Sequence, residues 1–344
     1  MAENSKKLTD INEVGEFGLI KLLSQDIKLN NQSSKLGIGD DAAIIDNSDL
    51  QTLISTDMLV EGVHFDLSYF PLKHLGYKSI TSSISDIYSM NAICNQVTVS
   101  IAISNRFKLE SVKELYSGIN LACKNYGVDV VGGDTTSSNK GIVISVTAIG
   151  SEKKEKIVKR FGAKKNDLIV VSGSLGKAYL GLQVLEREKQ VFLVNPNNKP
   201  DLSSYAELIE SQLKPEARKD VINFFHENEI IPTSMIDISD GLSSELIHLC
   251  SSSNVGCQLY EEKFNFEEIF LKTCKEFKLE PTTILLSGGE DYELLFTINQ
   301  KLYEKIKDNN NFNVIGHITE NLDMELNCKD SKKISLSSMG WKSF

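Results

Sequence analysis

One device recurs along this 344-residue chain: a short apolar run that stops at glycine or another small residue and an aspartate. It appears in "GIGDDAA" with Asp40 and Asp41, "ISTDML" with Asp57 and "SISDIY" with Asp86. It returns in "VGGDTTSS" with Asp134 and in "DISDGLSS" with Asp237 and Asp240. Short apolar runs bounded by turn residues read as strands. Longer segments with helical spacing lie between them, so each half mixes strands and helices and the class is α/β or α+β. No solenoid-type period is present.

Several elements can be placed. Asp10–Leu23 reads as a helix with Asp10 and Glu13 spaced as a capping box. Leu72–Asn91 reads as mostly helical. Val97, Val99, Ile101 and Ile103 alternate, as in a strand with one dry face. In Leu109–Tyr126 the residues Val112, Leu115, Tyr116, Ile119, Cys123 and Tyr126 share one side of a helix, and Gly127 is placed to end it. Ile142–Ile149 is a second alternating strand. The charged run "SEKKEKIVKR" marks a domain boundary, giving domains 1–150 and 151–344. In "LLSGGEDYELLF" two apolar runs read as buried strands joined by a Gly-Gly-Glu-Asp turn.

Composition narrows the chemistry. A net charge of −10 argues against a broad basic surface for nucleic acid or anionic lipid. Six cysteines without a C-x-x-C pair read as core hydrophobes in a reducing compartment. The N-terminus lacks an apolar signal region and no run reaches the length of a membrane span. The expectation is a soluble, cytoplasmic protein.

An acidic chain that binds a phosphate compound needs a divalent cation between the two. Mg²⁺ takes oxygen ligands from few carboxylates, water and phosphate. Aspartates at strand ends converge on one sheet edge, and neighbouring glycines let a phosphate or metal approach the backbone. Taken singly, each aspartate reads as a cap or turn residue. Six or seven together point to multi-metal phosphate chemistry. "SGSLGKA" echoes a phosphate-binding loop, but its spacing is G-x-x-G-K and no hydroxyl follows Lys177. The five histidines are scattered, and only His64 adjoins an acidic turn. No G-x-S-x-G is present.

In order, "GEFGLI", "GIGDDAA", "STDMLVEGVHF", "SDIYSMNA", "GGDTTSS", "DISDGLSSEL" and "SGGEDYELLF" resemble the thiamine-monophosphate kinase family, from Gly15 to Trp341. "TDMLVEGVHF" and "SGGEDYELLF" are its specific motifs. "GDD" and "GGD" are shared with aminoimidazole ribonucleotide synthetase and its relatives. The resemblance implies a two-domain fold of that superfamily. Its N-terminal ATP/Mg-binding domain pairs across a homodimer into a β-barrel, and a C-terminal α/β domain follows. It implies transfer of the γ-phosphoryl of ATP to thiamine monophosphate with several Mg²⁺ ions, ATP lying in a cleft. Asp40, Asp41, Ser55, Thr56, Asp57, Asp86, Asp134, Asp237 and Asp240 then resemble metal ligands. Tyr116, Gly133, Asp134, Arg160 and Ser239 resemble nucleotide contacts. His64, Glu290 and Trp341 resemble substrate contacts.

Two departures stand out. Ser137 and Ser138 follow "GGDTT" where many relatives have Arg-Gly. Asn91 stands where many have glycine, and asparagine also adopts the left-handed conformation. The acceptor phosphate is already anionic, so no carboxylate or histidine is needed as a base. Glu290 is expected to accept a hydrogen bond from the aminopyrimidine ring, and Asp291 to bond its own turn. The rival readings are another ATP-dependent synthetase of the superfamily and a non-catalytic nucleotide or thiamine-phosphate binder.

Overall fold

The computed structural model describes Leu19 and residues 22–36, 44–197, 200 and 202–337. Most of the helix expected over Asp10–Leu23 lies outside these residues, as do Asp40, Asp41 and Trp341. The chain divides into two compact units. One is Met1–Ile87 with Cys94–Ser151; the other is Tyr88–Ile93 with Glu152–Phe344. Among the described residues no helix is long and apolar enough to cross a membrane.

The first unit runs β1 (Ser34–Leu36), β2 (Ile44–Ile45), β3 (Gln51–Val60), α1 (Leu72–Tyr88), β4 (Ile93–Ile103), α2 (Leu109–Tyr126), β5 (Asp129–Ser137) and β6 (Ile142–Glu152). Strands β3-β6-β4-β5 form a sheet in that order, with β4 and β5 parallel. The alternation read from the sequence holds: Val97, Val99, Ile101 and Ile103 are buried, as are Ile142, Ile144, Val146 and Ala148. Helix α2 has the expected bounds. Gly127 ends it at φ 67°, with its N–H donating to the Cys123 carbonyl.

Helix α1 is buried on nearly all sides from Leu75 to Ser85 despite its hydroxyls. Ser79, Thr81, Ser82 and Ser83 each donate to a carbonyl three or four residues back, so the polar atoms are satisfied within the helix. Close approach to α2 depends on two glycines. A Cβ at Gly76 would stand 2.0 Å from the Leu115 carbonyl oxygen, and one at Gly118 would stand 1.8 Å from that of Lys73. The turn after α1 survives as the sequence suggests: Asn91 takes φ 60°.

The second unit runs β7 (Leu168–Ser172), α3 (Lys177–Val194), α4 (Ala206–Leu213), α5 (Lys219–Glu227), β8 (Ser234–Ile238), α6 (Leu242–Ser253), β9 (Gly256–Tyr260), α7 (Glu268–Phe277), α8 (Pro281–Ser287), β10 (Glu293–Ile298), β11 (Phe312–Thr319), β12 (Met324–Asn327) and β13 (Lys333–Ser335). Its sheet has the order β13-β12-β9-β11-β7-β10-β8 and is antiparallel except between β12 and β9. Both faces are covered. Ile169, Ile236 and Leu295 share a core with Leu242 and Leu246 of α6. Phe296, one residue along from Leu295, turns to the other face and meets Phe225 of α5 at a ring distance of 5.0 Å.

One element differs in kind from its expectation. The apolar run before Gly288 is helix α8, not a strand. Pro281 sits at its start and the Glu280 carboxylate accepts from the Thr283 N–H at 2.6 Å, a helix-initiating arrangement just upstream of the run.

Candidate active site

Among the described residues of the first unit, Asp57, Asp86 and Asp134 do not sit at strand ends. Asp57 is inside β3, Asp134 is inside β5 and Asp86 lies in the last turn of α1. What brings Asp57 and Asp86 together is alternation along β3. Leu53, Ser55, Asp57 and Leu59 turn inward; Ile54, Thr56 and Met58 turn outward. Ser55 donates a hydrogen bond to the Asp86 carboxylate. Burial, then the charge of Asp86, push Asp57 from 3.8 up to about 6, partly offset by a hydrogen bond from Ser83. Thr56 is not part of this group: its hydroxyl meets the Val146 carbonyl at 3.1 Å and the Thr147 hydroxyl at 3.0 Å.

The other described candidates of this unit have partners of their own. Asp134 is exposed, and its carboxylate accepts from the Thr135 N–H at 2.8 Å. Gly133 is required by strand packing, since a Cβ there would meet the Val99 carbonyl oxygen at 1.9 Å. Tyr116 is buried in α2, which pushes its hydroxyl up to about 12. His64 folds onto its own turn, with Nδ1 accepting from the Val60 N–H at 3.0 Å, so its proton sits on Nε2. Among the described residues, no group of three or more His, Cys, Asp or Glu is placed to hold a metal ion. The donor set around Asp57 nonetheless fits Mg²⁺: two carboxylates and a hydroxyl, all hard oxygens, with a carboxylate whose charged form is disfavoured as it stands.

In the second unit two motifs far apart in sequence are joined backbone to backbone. The Glu290 N–H donates to the Ser239 carbonyl at 2.7 Å and the Tyr292 N–H to the Ile238 carbonyl at 2.9 Å. The Ser243 hydroxyl donates to the Leu286 carbonyl at 2.9 Å. Gly289 allows this closeness, because a Cβ there would lie 2.5 Å from the Ser239 oxygen. Glu290 and Tyr292 both take left-handed φ, at 65° and 52°, a strain that side-chain-bearing residues hold only when their surroundings fix them. Asp240 is raised by burial, with Glu290 adding repulsion and His248 opposing it. Asp237 is buried in β8; Arg160 is exposed.

Two residues the sequence did not single out belong to this group. Glu245, in the first turn of α6, accepts from the Asp240 N–H at 2.9 Å, and burial pushes it up to about 7. Its signal was an acid in the first turn of a helix, a position that favours capping. Gln212 of α4 donates to Glu290 Oε2 at 2.9 Å, and nothing local in the sequence marks it.

Asp291 does not bond its own turn. Its carboxylate accepts from the Gly176 N–H at 2.7 Å and the Ala178 N–H at 3.3 Å, at the N-terminus of α3. That is where a phosphate would sit if "SGSLGKA" were a phosphate loop. The helix end is thus filled by the protein's own carboxyl group, and Lys177 is paired with Glu207 and Glu267.

Burial pushes Asp291 from 3.8 up to about 8, against the lowering effect of the two N–H donors. A carboxyl raised in this way makes the folded state bind more protons than the unfolded chain between these values, so its contribution to stability falls as pH rises from about 4 to about 8. Asp291→Asn is expected to flatten the pH dependence of stability in that window, measured by urea unfolding at pH 5, 7 and 9. An unchanged slope would rule out the buried carboxyl as its source.

Residues 39–151 match the family described as AIR synthase related protein, N-terminal domain. The chain is 34% identical over 335 residues to a thiamine-monophosphate kinase of Aquifex aeolicus (strain VF5), covering 97% of this chain and 99% of that one. It is 32% identical over 296 residues to that of Bacillus subtilis (strain 168), covering 85% and 86%. A solved structure of AaThiL complexed with AMPPCP and TMP matches with a TM-score of 0.75 at 30% identity, over 99% of this chain and 100% of that one. On this similarity the chain belongs to the thiamine-monophosphate kinase family.

Proposed function

We propose that this protein transfers the γ-phosphoryl group of ATP to thiamine monophosphate, giving thiamine diphosphate and ADP, as a cytoplasmic, Mg²⁺-dependent homodimer. The observation that carries the reading is the match along nearly the whole chain to a structure complexed with AMPPCP and TMP.

In this reading Ser55, Asp57 and Asp86 would hold Mg²⁺ in the first unit, with Asp40, Asp41 and Asp134, and Asp237 and Asp240 would do so in the second. Bound Mg²⁺ supplies neutralisation of phosphate charge, which phosphoryl transfer needs more than any proton transfer. The chain's own part is to position. Tyr116, Gly133, Arg160 and Ser239 contact the nucleotide, and Trp341 and His64 the acceptor. Glu290 accepts a hydrogen bond from the aminopyrimidine ring. The acceptor phosphate is its own nucleophile, and His64 fits a role other than base because its Nδ1 lone pair is taken by the Val60 N–H.

The dimer reading rests on the outward face of β3, where Ile54 is 69% and Met58 56% exposed. Exposed apolar side chains on a sheet face are suited to a protein contact. Six free cysteines, five of them buried, accord with a reducing compartment.

The test is ADP release with Mg²⁺-ATP and a panel of thiamine, thiamine monophosphate and aminoimidazole ribonucleotide precursors. Turnover with thiamine monophosphate alone is expected. Turnover only with an aminoimidazole precursor would assign a synthetase, and binding without ADP release would assign a non-catalytic binder.

A further inference from the structure

We infer that Gln212 is a positioning residue for acceptor recognition, acting through Glu290; the inference rests on the reading that Glu290 contacts the acceptor. Helix α4 buries Leu208, Gln212 and Leu213, and Gln212 is only 3% exposed. A primary amide buried beside leucines is costly unless it is hydrogen-bonded. Its Nε2 donates to Glu290 Oε2 at 2.9 Å.

The position of Gln212 is fixed by backbone contact. A Cβ at Gly181 of α3 would lie 2.1 Å from the Leu208 carbonyl oxygen and 3.1 Å from Gln212 Cβ, so α3 and α4 meet with no room to slide. Glu290 is fixed from the other side by its N–H bond to Ser239 and its left-handed φ of 65°. The amide therefore selects the plane of a carboxylate whose backbone is already set. It is also a neutral donor. Asp240 and Asp291 both feel the Glu290 charge, and a lysine or arginine at position 212 would cancel it. Glutamine orients the carboxylate and leaves its negative charge for a donor-bearing, cationic ring system, which is the chemistry of the thiamine group.

The experiment compares Gln212→Leu, Glu290→Gln and the double variant in steady-state kinetics. Gln212→Leu is expected to raise the KM for thiamine monophosphate about tenfold, the value of one hydrogen bond to a charged group. The KM for ATP should stay within about twofold, and the two substitutions should be less than additive in the double variant. Gln212→Met repeats the measurement in an unbranched side chain should the leucine variant not fold. A parallel rise in both KM values with a lowered unfolding midpoint would assign a structural role only and overturn the inference. A raised acceptor KM in Glu290→Gln with none in Gln212→Leu or Gln212→Met would overturn it while sparing Glu290. An unchanged KM in Glu290→Gln would remove the reading of Glu290 and this inference with it.

Discussion

Asp86→Asn is expected to lower turnover by about two to four orders of magnitude while the fold stays intact. The physical reason is the pairing with Asp57. Two carboxylates in a partly dry place repel each other, and Asp57 is pushed up to about 6 by burial and by that charge. An assembly that tolerates such repulsion is one suited to a divalent cation. Asparagine is nearly the same shape and its amide oxygen can still accept from Ser55, while the negative charge and one acceptor oxygen are lost. Without a cation the variant should unfold no earlier than the parent, because the repulsion is gone. The decisive measurement is kcat across a Mg²⁺ titration beside the thermal midpoint. Near-parental turnover at saturating Mg²⁺ would refute a metal-holding role for Asp86.

Arg218→Met is expected to cost about 3 kcal/mol of stability, the low end of the cost of leaving one member of a buried ion pair alone, because this pair is only partly buried. Glu293, the first residue of β10, is half-buried and accepts from Arg218 at 2.5 Å and from the Ser172 hydroxyl. Burial raises it and the guanidinium lowers it. Arg218 is itself shielded, and Asp220 takes its other nitrogens at 2.7 and 2.9 Å. Removing the guanidinium strands Glu293 in a place its carboxylate cannot leave, because a strand start holds it. Adding Glu293→Gln should recover much of the loss by discarding the orphaned charge. Urea unfolding of the two variants decides the matter. A loss under about 1 kcal/mol for Arg218→Met would place the pair among exposed bridges of little worth.

The readable parts of the fold were those with a local period. The dry face of β4 and the buried stripe of α2 followed from spacing alone, and the end of α2 followed from Gly127. What spacing could not give were partners. Asp291 looks like any turn acid until α3 arrives 115 residues away in sequence; Gln212 and Glu290 are 78 apart. The strand reading of Leu285–Leu286 failed because a run that short is ambiguous, and the deciding signals, Pro281 and Glu280, lay outside it. The "DISDGL" and "GGEDY" motifs were each legible as turns. Their joining through Ser239 and Ile238 carbonyls was not, since backbone atoms leave no mark in a sequence. Thr56 shows the reverse case: strand periodicity, applied strictly to "ISTDML", separates it from Ser55 and Asp57.

The glycine crossing of α1 and α2 bears on how Asp86 keeps its place. Gly76 and Gly118 bring each helix against the other's carbonyls, so the crossing works as a fixed pivot rather than a yielding cushion of side chains. Asp86 stands ten residues beyond Gly76, about 15 Å along the same rod. A tilt of even a few degrees at that pivot would carry the carboxylate about 1 Å, enough to spoil a catalytic geometry. Bulk added at Gly76 or Gly118 would therefore detune a centre it never touches.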